Sequence, residues 1–148
     1  MSDGLIIRKM TAKDIDRVSR IEEQHFSRPW SREAFETMLN SENALYMVAQ
    51  TDDKVVGNCG VIVAVDEGDI CNVAVDKDYR GRGIGEELVK TVMKTAAEEL
   101  GVRAFTLEVR ASNAAAIRLY EKIGFVSEGV RPKFYSSPVE DAVIYWKR

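Results

Sequence analysis

A glycine-rich segment, residues 80–85 (Arg-Gly-Arg-Gly-Ile-Gly), constrains the fold of this chain more than any other feature. It lies between a strand-like run, residues 70–75, and a strongly helical run, residues 86–100. Glycine adopts φ values that other residues avoid and lets another group approach the backbone closely. Because a helix N-terminus presents unpaired N–H groups and the positive end of its dipole, this arrangement predicts a phosphate or pyrophosphate site.

Length and composition indicate one globular domain. The chain has 148 residues, 45% hydrophobic and 30% charged, which is ordinary for a soluble domain with a substantial core. A net charge of −3 argues against nucleic-acid binding through a broad basic surface. We find no apolar run of membrane-spanning length and no signal-peptide pattern, so we expect a cytoplasmic protein that does not bind membranes.

Cysteine and histidine usage argues against a structural metal site. Cys59 and Cys71 lie in apolar runs, which favours buried thiols in a reducing compartment over a disulfide or a ligand role. Together with the one histidine, His25, they are too few for a four-ligand zinc site. We expect His25 to be an exposed residue at a helix end, and we expect no metal.

Hydrophobic periodicity predicts an order of elements that defines the fold class. Strands are predicted at residues 5–10, 44–50, 55–65, 70–75, 102–109, 125–130 and 139–146, with turns at 51–54 and 66–69. Four helices are predicted: one capped by Thr11, one capped by Ser31, one from about residue 84 to Gly101, and one that starts at Ser112 or Asn113 and ends before Gly124. Two helices, a meander, a central βαβ unit and a final hairpin indicate a mixed α/β fold of about seven strands flanked by about four helices.

Two common phosphate-binding motifs fit this glycine segment poorly. A dinucleotide fingerprint should follow its strand directly and read G-x-G-x-x-G, but Leu88 stands at the third glycine position and residues 76–81 separate strand and loop. A Walker loop needs Lys followed by Ser or Thr after its last glycine, and Glu86 and Glu87 stand there. A third interpretation, a tight turn without a ligand, does not explain three glycines flanked by two arginines.

The pattern R-x-x-G-x-G, preceded by Val-Ala-Val-Asp at residues 73–76, resembles the acetyl-CoA signature of the GNAT superfamily of N-acetyltransferases. Residues 107–117 (Leu-Glu-Val-Arg-Ala-Ser-Asn-Ala-Ala-Ala-Ile), continuing to Gly124-Phe125, resemble its ribosomal-protein-alanine (RimI-like) branch. Pro29-Trp30-Ser31 and Glu140-Asp141-Ala142 extend the resemblance over essentially the whole chain. The resemblance implies the GNAT fold and acetyl-CoA as co-substrate.

The resemblance also implies how acetyl-CoA is bound. Backbone amides of the glycine segment would hold the pyrophosphate, and residues 73–75 would pair with the pantetheine arm. The N–H of Val73 would then face the thioester oxygen; the alternative for the side chains of this strand is simple core packing. The cofactor-binding residues predicted in this way are Val73, Ala74, Val75, Arg80, Gly81, Arg82, Gly83, Ile84, Gly85, Glu86, Asn113 and Tyr120.

Two residues are candidates for the proton transfers. Glu108 interrupts an apolar strand and, by alternation, lies on the face opposite Leu107 and Val109, where it could act as general base. From spacing alone, a solvent-facing Glu108 paired with Arg110 is an open alternative. Tyr120, seven residues after Asn113 on the same helix face, is the candidate acid for the departing thiolate; packing under the sheet is its alternative.

By the same resemblance, Trp30 and Tyr135 would contact the acceptor, which we expect to be a protein N-terminal amine such as the alanine of a ribosomal protein. Phe134 stands where the family often has a second aromatic hydroxyl. Core packing is an equal alternative for Trp30. Direct attack in a ternary complex is expected, since nothing beside Cys71 would activate it as a nucleophile. Two other functions remain open: acetylation of a lysine or small-molecule amine, and a non-catalytic module that senses acetyl-CoA.

Overall fold

A computed structural model of the protein describes residues 4–26 and 29–148. Within these residues the chain forms seven strands and four α-helices. The strands are β1 (Ile6–Lys9), β2 (Ala44–Thr51), β3 (Lys54–Ala64), β4 (Glu67–Val75), β5 (Ala104–Arg110), β6 (Val126–Ser136) and β7 (Val139–Lys147). The helices are α1 (Ile15–Glu23), α2 (Arg32–Leu39), α3 (Ile84–Leu100) and α4 (Ala114–Ile123). None of these helices is long and apolar enough to cross a bilayer.

The seven strands form one mixed sheet in the order β1-β2-β3-β4-β5-β7-β6. Among the described strands, β4 and β5 are the parallel pair, and all other neighbours are antiparallel. The connection between β4 and β5 contains α3, which completes the predicted βαβ unit. The expected mixed α/β fold of seven strands and four helices is therefore confirmed.

The two parallel strands separate part-way along their length. Only residues 67–69 of β4 pair with β5, through residues 104–106, although β4 continues to Val75 and β5 to Arg110. Beyond these three pairs, β4 and β5 no longer form backbone hydrogen bonds with each other. The sheet is therefore open at its centre.

Hydrophobic cores on both faces hold the layers together. On one face, α3 buries Leu88, Val89 and Val92 in a cluster that includes Val56 and Val61 of β3. On the other face, α1 and α2 pack against Tyr46 and Val48 of β2. Alternation along β2 sends Met47 to the first cluster and its neighbours to the second, as period-two geometry requires.

Several predicted boundaries and caps are confirmed. Ser31 caps α2 by accepting the N–H of Ala34 at 3.1 Å, and Asn113 caps α4 by accepting the N–H of Ala116 at 3.1 Å. Gly101 ends α3 with a φ of 68°, a conformation that favours glycine. Thr11 precedes a 3₁₀ turn, Ala12–Asp14, rather than α1 itself.

Two predicted boundaries are wrong. Residues 67–69 were expected in a turn because they are mainly charged, but they form the start of β4 and make its parallel pairing. Strand β6 was expected to end at residue 130 and continues to Ser136. As an edge strand exposed along nearly its whole length, β6 lacks the alternating hydrophobic pattern by which strands are recognised.

Candidate active site

Two adjoining cavities occupy the opening between β4 and β5. The larger has a volume of about 560 Å³ and is lined by residues of β4, β5, α4 and the segment 134–138. The smaller, of about 360 Å³, lies between β4, the glycine segment and α4. Residues common to both linings mark the junction: His25, Val73, Asn113, Ala116 and Tyr120. We call the larger the acceptor cavity and the smaller the cofactor cavity.

The glycine segment has the geometry of an anion site. Gly81 and Gly83 have φ values of 77° and 80°, and a Cβ built on either would have no heavy atom within 4 Å. Gly83 is the N-cap residue of α3 and offers no side-chain cap, which leaves the first-turn N–H groups available to a ligand. The open backbone and the helix end therefore fit a phosphate-bearing group.

Most residues predicted to bind the cofactor line the cofactor cavity. They are Val73, Ala74, Val75, Arg80, Gly81, Gly83, Ile84, Gly85, Asn113 and Tyr120. Arg82 and Glu86 do not: the guanidinium of Arg82 lies 4.9 Å from the ring centroid of Tyr79, and the carboxylate of Glu86 is held by Lys90 and Lys122 at 2.8 and 2.9 Å. Lys90 and Lys122 lower the pKa of Glu86 to about 2. The Glu86 side chain thus ties α3 to α4.

Glu108 is half-buried and lines the acceptor cavity. It makes no hydrogen bond or ion pair with another residue of the described ranges 4–26 and 29–148. Arg110, the partner that spacing alone suggested, pairs instead with Glu140 at 3.4 Å and donates to the carbonyl of Pro138 at 2.9 Å. The described residues therefore do not support the pairing of Glu108 with Arg110.

Two neighbours of Glu108, Asp69 and Tyr135, have raised pKa values. The burial of each side chain is the larger cause, and the negative charge of Glu108 adds to it. Both groups therefore stand close enough to Glu108 to respond to its charge. Among the described residues that line the acceptor cavity, Glu108 is the carboxylate and Arg110 is the guanidinium.

Tyr120 lies at the junction of the two cavities with its ring buried against Phe125, at a centroid separation of 5.9 Å. Burial raises the pKa of its hydroxyl, and the nearby Cys59 and Tyr135 add to the shift. The hydroxyl is therefore neutral at physiological pH and retains a proton to donate. Asn113 caps the N-terminus of α4, the helix that contains Tyr120, so Asn113 and Tyr120 belong to the same helix as predicted.

The outer wall of the acceptor cavity is aromatic. Phe134 and Tyr135 meet edge to face at 5.1 Å, and the guanidinium of Arg110 lies 4.3 Å from the ring centroid of Tyr135. Trp30 does not line the cavity: it packs against Phe35 at 5.4 Å and Tyr46 at 6.2 Å. This placement fits the core-packing alternative for Trp30.

The thiols have no sign of activation. Cys59 is buried, and Cys71 lines the acceptor cavity; neither is in a disulfide. Burial, with smaller effects from Asp69 and Glu22, raises the pKa of Cys71 to about 12. A thiol that stays protonated is a poor nucleophile. No three His, Cys, Asp or Glu side chains among the described residues are grouped as metal ligands would be.

Sequence reasoning missed two residues of this site. His25 is exposed at the end of α1, as expected, but it also lines both cavities and places its Nε2 2.6 Å from the carbonyl oxygen of Val75. Asn72 lines the acceptor cavity and is bound by a fully buried Glu22. One signal was available: Glu22 follows Ile15 and Val18 at helical spacing, on the stripe that faces the core.

Comparison with known proteins assigns the class. Residues 15–125 match the family model described as the acetyltransferase (GNAT) family. The chain belongs to this family and is an enzyme of the acyltransferase type. Its fold is the one that the family resemblance implied.

Individual relatives are similar over nearly their whole length. The chain is 36% identical to a putative [ribosomal protein bS18]-alanine N-acetyltransferase of Bacillus subtilis over 147 residues, covering 99% of this chain and 97% of the relative. The crystal structure of the ribosomal-protein-S18-alanine N-acetyltransferase from Escherichia coli superimposes with a TM-score of 0.86 at 33% identity, covering 96% of this chain and 92% of the other. Ard1 from Thermoplasma volcanium superimposes with a TM-score of 0.87 at 28% identity, covering 97% of each chain.

Proposed function

We propose that the protein transfers the acetyl group of acetyl-CoA to a protein N-terminal amine by direct attack in a ternary complex. The observation that carries this proposal is the acceptor cavity, which is lined both by Glu108, unpaired among the described residues, and by a neutral Tyr120 that also lines the cofactor cavity. The names of the similar B. subtilis and E. coli proteins support the choice of acceptor.

Binding would use the backbone of the cofactor cavity. N–H groups at Gly81–Gly85 and at the start of α3 would hold the pyrophosphate, and the unpaired edge of β4 would hold the pantetheine arm. The N–H of Val73 would donate to the thioester oxygen as negative charge develops there. One preorganised donor of this kind contributes about 3 kcal/mol in studied enzymes.

Glu108 and Tyr120 would manage the protons. Glu108, directly or through a water molecule, takes a proton from the acceptor ammonium, and the freed amine attacks the carbonyl carbon. The carbon–sulfur bond then breaks, and Tyr120 donates its proton to the leaving thiolate. The second proton of the attacking nitrogen returns to the Tyr120 phenolate through solvent, which leaves a neutral amide and coenzyme A. A thiol pKa of about 8.5 and a phenol pKa of about 10 make the transfer from Tyr120 to the thiolate mild in water, although burial raises the pKa of Tyr120 further.

The chemistry favours an α-amine over a lysine side chain. An α-ammonium has a pKa of about 7.7–8.0, so its deprotonation at pH 7 requires only about 1 kcal/mol. A lysine ammonium, with a pKa of about 10.4, requires about 4–5 kcal/mol. A single half-buried carboxylate suits the first task better. We further propose that the acceptor is the N-terminal alanine of a ribosomal protein.

Matched peptides test this proposal. Three acceptors are compared with acetyl-CoA by mass spectrometry: an Ala-initiated peptide without lysine, the same peptide blocked at its N-terminus and carrying an internal lysine, and spermidine. We expect initial rates at least tenfold higher on the first. Exclusive reaction of the blocked lysine peptide or spermidine would favour the side-chain or small-molecule alternative. Tight binding of acetyl-CoA without any product would favour the sensing module.

A further inference from the structure

A fully buried carboxylate outside the reacting groups connects the strand of the cofactor cavity to the rest of the molecule. Glu22, on the core-facing side of α1, has no exposed surface. Its carboxylate accepts hydrogen bonds from the Tyr46 hydroxyl at 2.7 Å and from the Asn72 side-chain amide at 2.9 and 3.1 Å. It also accepts from the Asn58 amide at 3.2 Å and from the backbone of Trp30. One side chain of α1 thus binds β2, β3, β4 and the segment before α2.

The burial of Glu22 is unfavourable taken by itself. Burial raises its pKa, and the donors around it act in the opposite direction. Removing a carboxylate from water is expensive, and apolar replacements of buried charges are often neutral or stabilising. Joint apolar replacement of Glu22 and its donors would serve the core equally well, whereas replacing Glu22 alone would leave the donors of Tyr46 and Asn72 without this acceptor. Stability alone therefore does not explain a glutamate at this position.

The main partner of Glu22 is at an irregular point of β4. Asn72 has a φ of 56°, in the left-handed region that non-glycine residues seldom occupy. The β3–β4 register shifts at the same place, between Asn58 and Gly60. The carbonyl of Asn72 accepts a hydrogen bond from the Asn58 amide at 2.9 Å, so both its side chain and its backbone are held. A bulge of this kind changes the direction of the residues that follow it.

The residue that follows is Val73, which lines both cavities. The other end of this short stretch is also bound by α1. Arg17 forms a close ion pair with the buried Asp76 and donates to the carbonyl of Val55 at 2.8 Å. Helix α1 therefore holds β4 immediately before and immediately after residues 73–75.

We propose that Glu22 is a positioning residue for acetyl transfer: by holding Asn72 in its left-handed conformation it orients the backbone at Val73, so that the Val73 N–H faces the thioester oxygen. The inference rests on the proposed role of Val73 in the transfer. Glu22 does not touch either substrate and acts through Asn72. Because Glu22 also binds the backbone of Trp30, the same carboxylate connects the thioester strand to the segment that leads into α2.

Two variants separate positioning from simple stabilisation. Glu22→Gln keeps the volume but replaces one acceptor oxygen with a donor that faces the Asn72 and Tyr46 donors. Asn72→Gly removes the side-chain link and suits the positive φ, so it should fold even if Glu22→Gln does not. Val18→Ala is the matched control, because it loosens the same helix from the core and leaves the hydrogen bonds between Glu22 and Asn72 in place.

The readouts are kcat, KM for acetyl-CoA, thermal stability and the NMR resonance of the Val73 amide. We expect kcat to fall about 10- to 100-fold in Glu22→Gln and Asn72→Gly. KM should stay within a few-fold of wild type, and the Val73 amide resonance should move. In Val18→Ala we expect lower stability with both kcat and the Val73 resonance near wild type.

A loss of kcat that follows stability across all three variants would overturn the positioning role. So would an unchanged Val73 resonance in Glu22→Gln and Asn72→Gly. If the wild-type protein transferred no acetyl group, the proposed function would fail, and the Val73 resonance would still decide whether Glu22 orients this strand.

Discussion

The two ends of the cleft are built in different ways. The cofactor end comes largely from one continuous piece of chain, from Val73 through the glycine segment into α3. The acceptor end is assembled from β4, β5, α4, the segment 134–138 and the residues after α1, which are far apart in sequence. A contiguous site depends on local backbone conformation, whereas an assembled site depends on the packing that brings its parts together.

The difference also appears in the charged groups. At the cofactor end, Glu86 is saturated by two lysines and serves to join two helices. At the acceptor end, Glu108 has no such partner among the described residues, while Arg110 is engaged by the final hairpin. A carboxylate left unpaired in a half-buried cavity is suited to proton transfer, and a saturated one is suited to structure.

The largest effect should come from Glu108→Gln, which removes the proposed base at the acceptor end. We expect kcat/KM to fall about 10³-fold, within the range typical of general bases, with the Kd for coenzyme A unchanged by calorimetry. Thr106→Val, on the same face of β5, is the control. It removes a hydrogen bond to Tyr145 but should leave the rate within a few-fold. A Glu108→Gln enzyme as active as wild type would exclude this residue as the base.

A smaller effect is expected when the cofactor end is changed through its backbone. Gly83→Ala places a side chain at a φ of 80°, which costs about 1–2 kcal/mol, and should raise KM for acetyl-CoA about tenfold by disturbing the approach of the pyrophosphate. Gly101→Ala provides the control: it adds a side chain at a φ of 68°, also in open space, at the other end of α3. Both should lower stability similarly in thermal unfolding. Equal KM values in the two variants would contradict a pyrophosphate site at Gly83.

The smallest effect should come from the aromatic wall of the acceptor cavity. Loss of the hydroxyl in Tyr135→Phe should raise KM for the acceptor peptide about 2- to 10-fold with little change in KM for acetyl-CoA, since one neutral hydrogen bond contributes about 0.5–1.5 kcal/mol. Phe134→Tyr, which adds a hydroxyl to the neighbouring ring, should move KM in the opposite direction. The comparison of the two ends is weakened if either substitution changes KM for acetyl-CoA more than KM for the peptide.

The element order and the cofactor end were predictable because their signals are local. The start and end of α3 follow from glycines on either side of one apolar repeat, and both glycines have the positive φ that makes glycine favourable there. The caps at Ser31 and Asn113 are likewise set by side chains within three residues of the N–H groups they accept. The predicted β6 was too short for the converse reason. As an edge strand, β6 has no buried face that would require alternating hydrophobic residues.

The hydrogen-bonded cluster around Glu22 could not be predicted from the sequence. Glu22 lies on a core stripe of α1, but its meaning depends on Tyr46, Asn58 and Asn72, which reach it from three strands. Asparagine is enriched in the left-handed region, but far less than glycine, so the identity of residue 72 is only a weak local signal for its φ of 56°. Trp30 was placed at the acceptor by resemblance, while its packing on Phe35 and Tyr46 could be read only from the assembled core.

The amino-acid sequence alone determined the mixed α/β class, the glycine segment at the start of α3, and the presence of an acid and a base candidate in one short run. Only the tertiary structure decided that β4 and β5 separate beyond residue 69, that Glu108 has no partner within residues 4–26 and 29–148, and that α1 holds β4 on both sides of Val73. The physical reason is the separation along the sequence between the groups that interact. Glycine conformation, capping and hydrophobic periodicity depend on residues only a few positions apart. Strand separation and the pairing of charges depend on groups that meet only when distant segments pack.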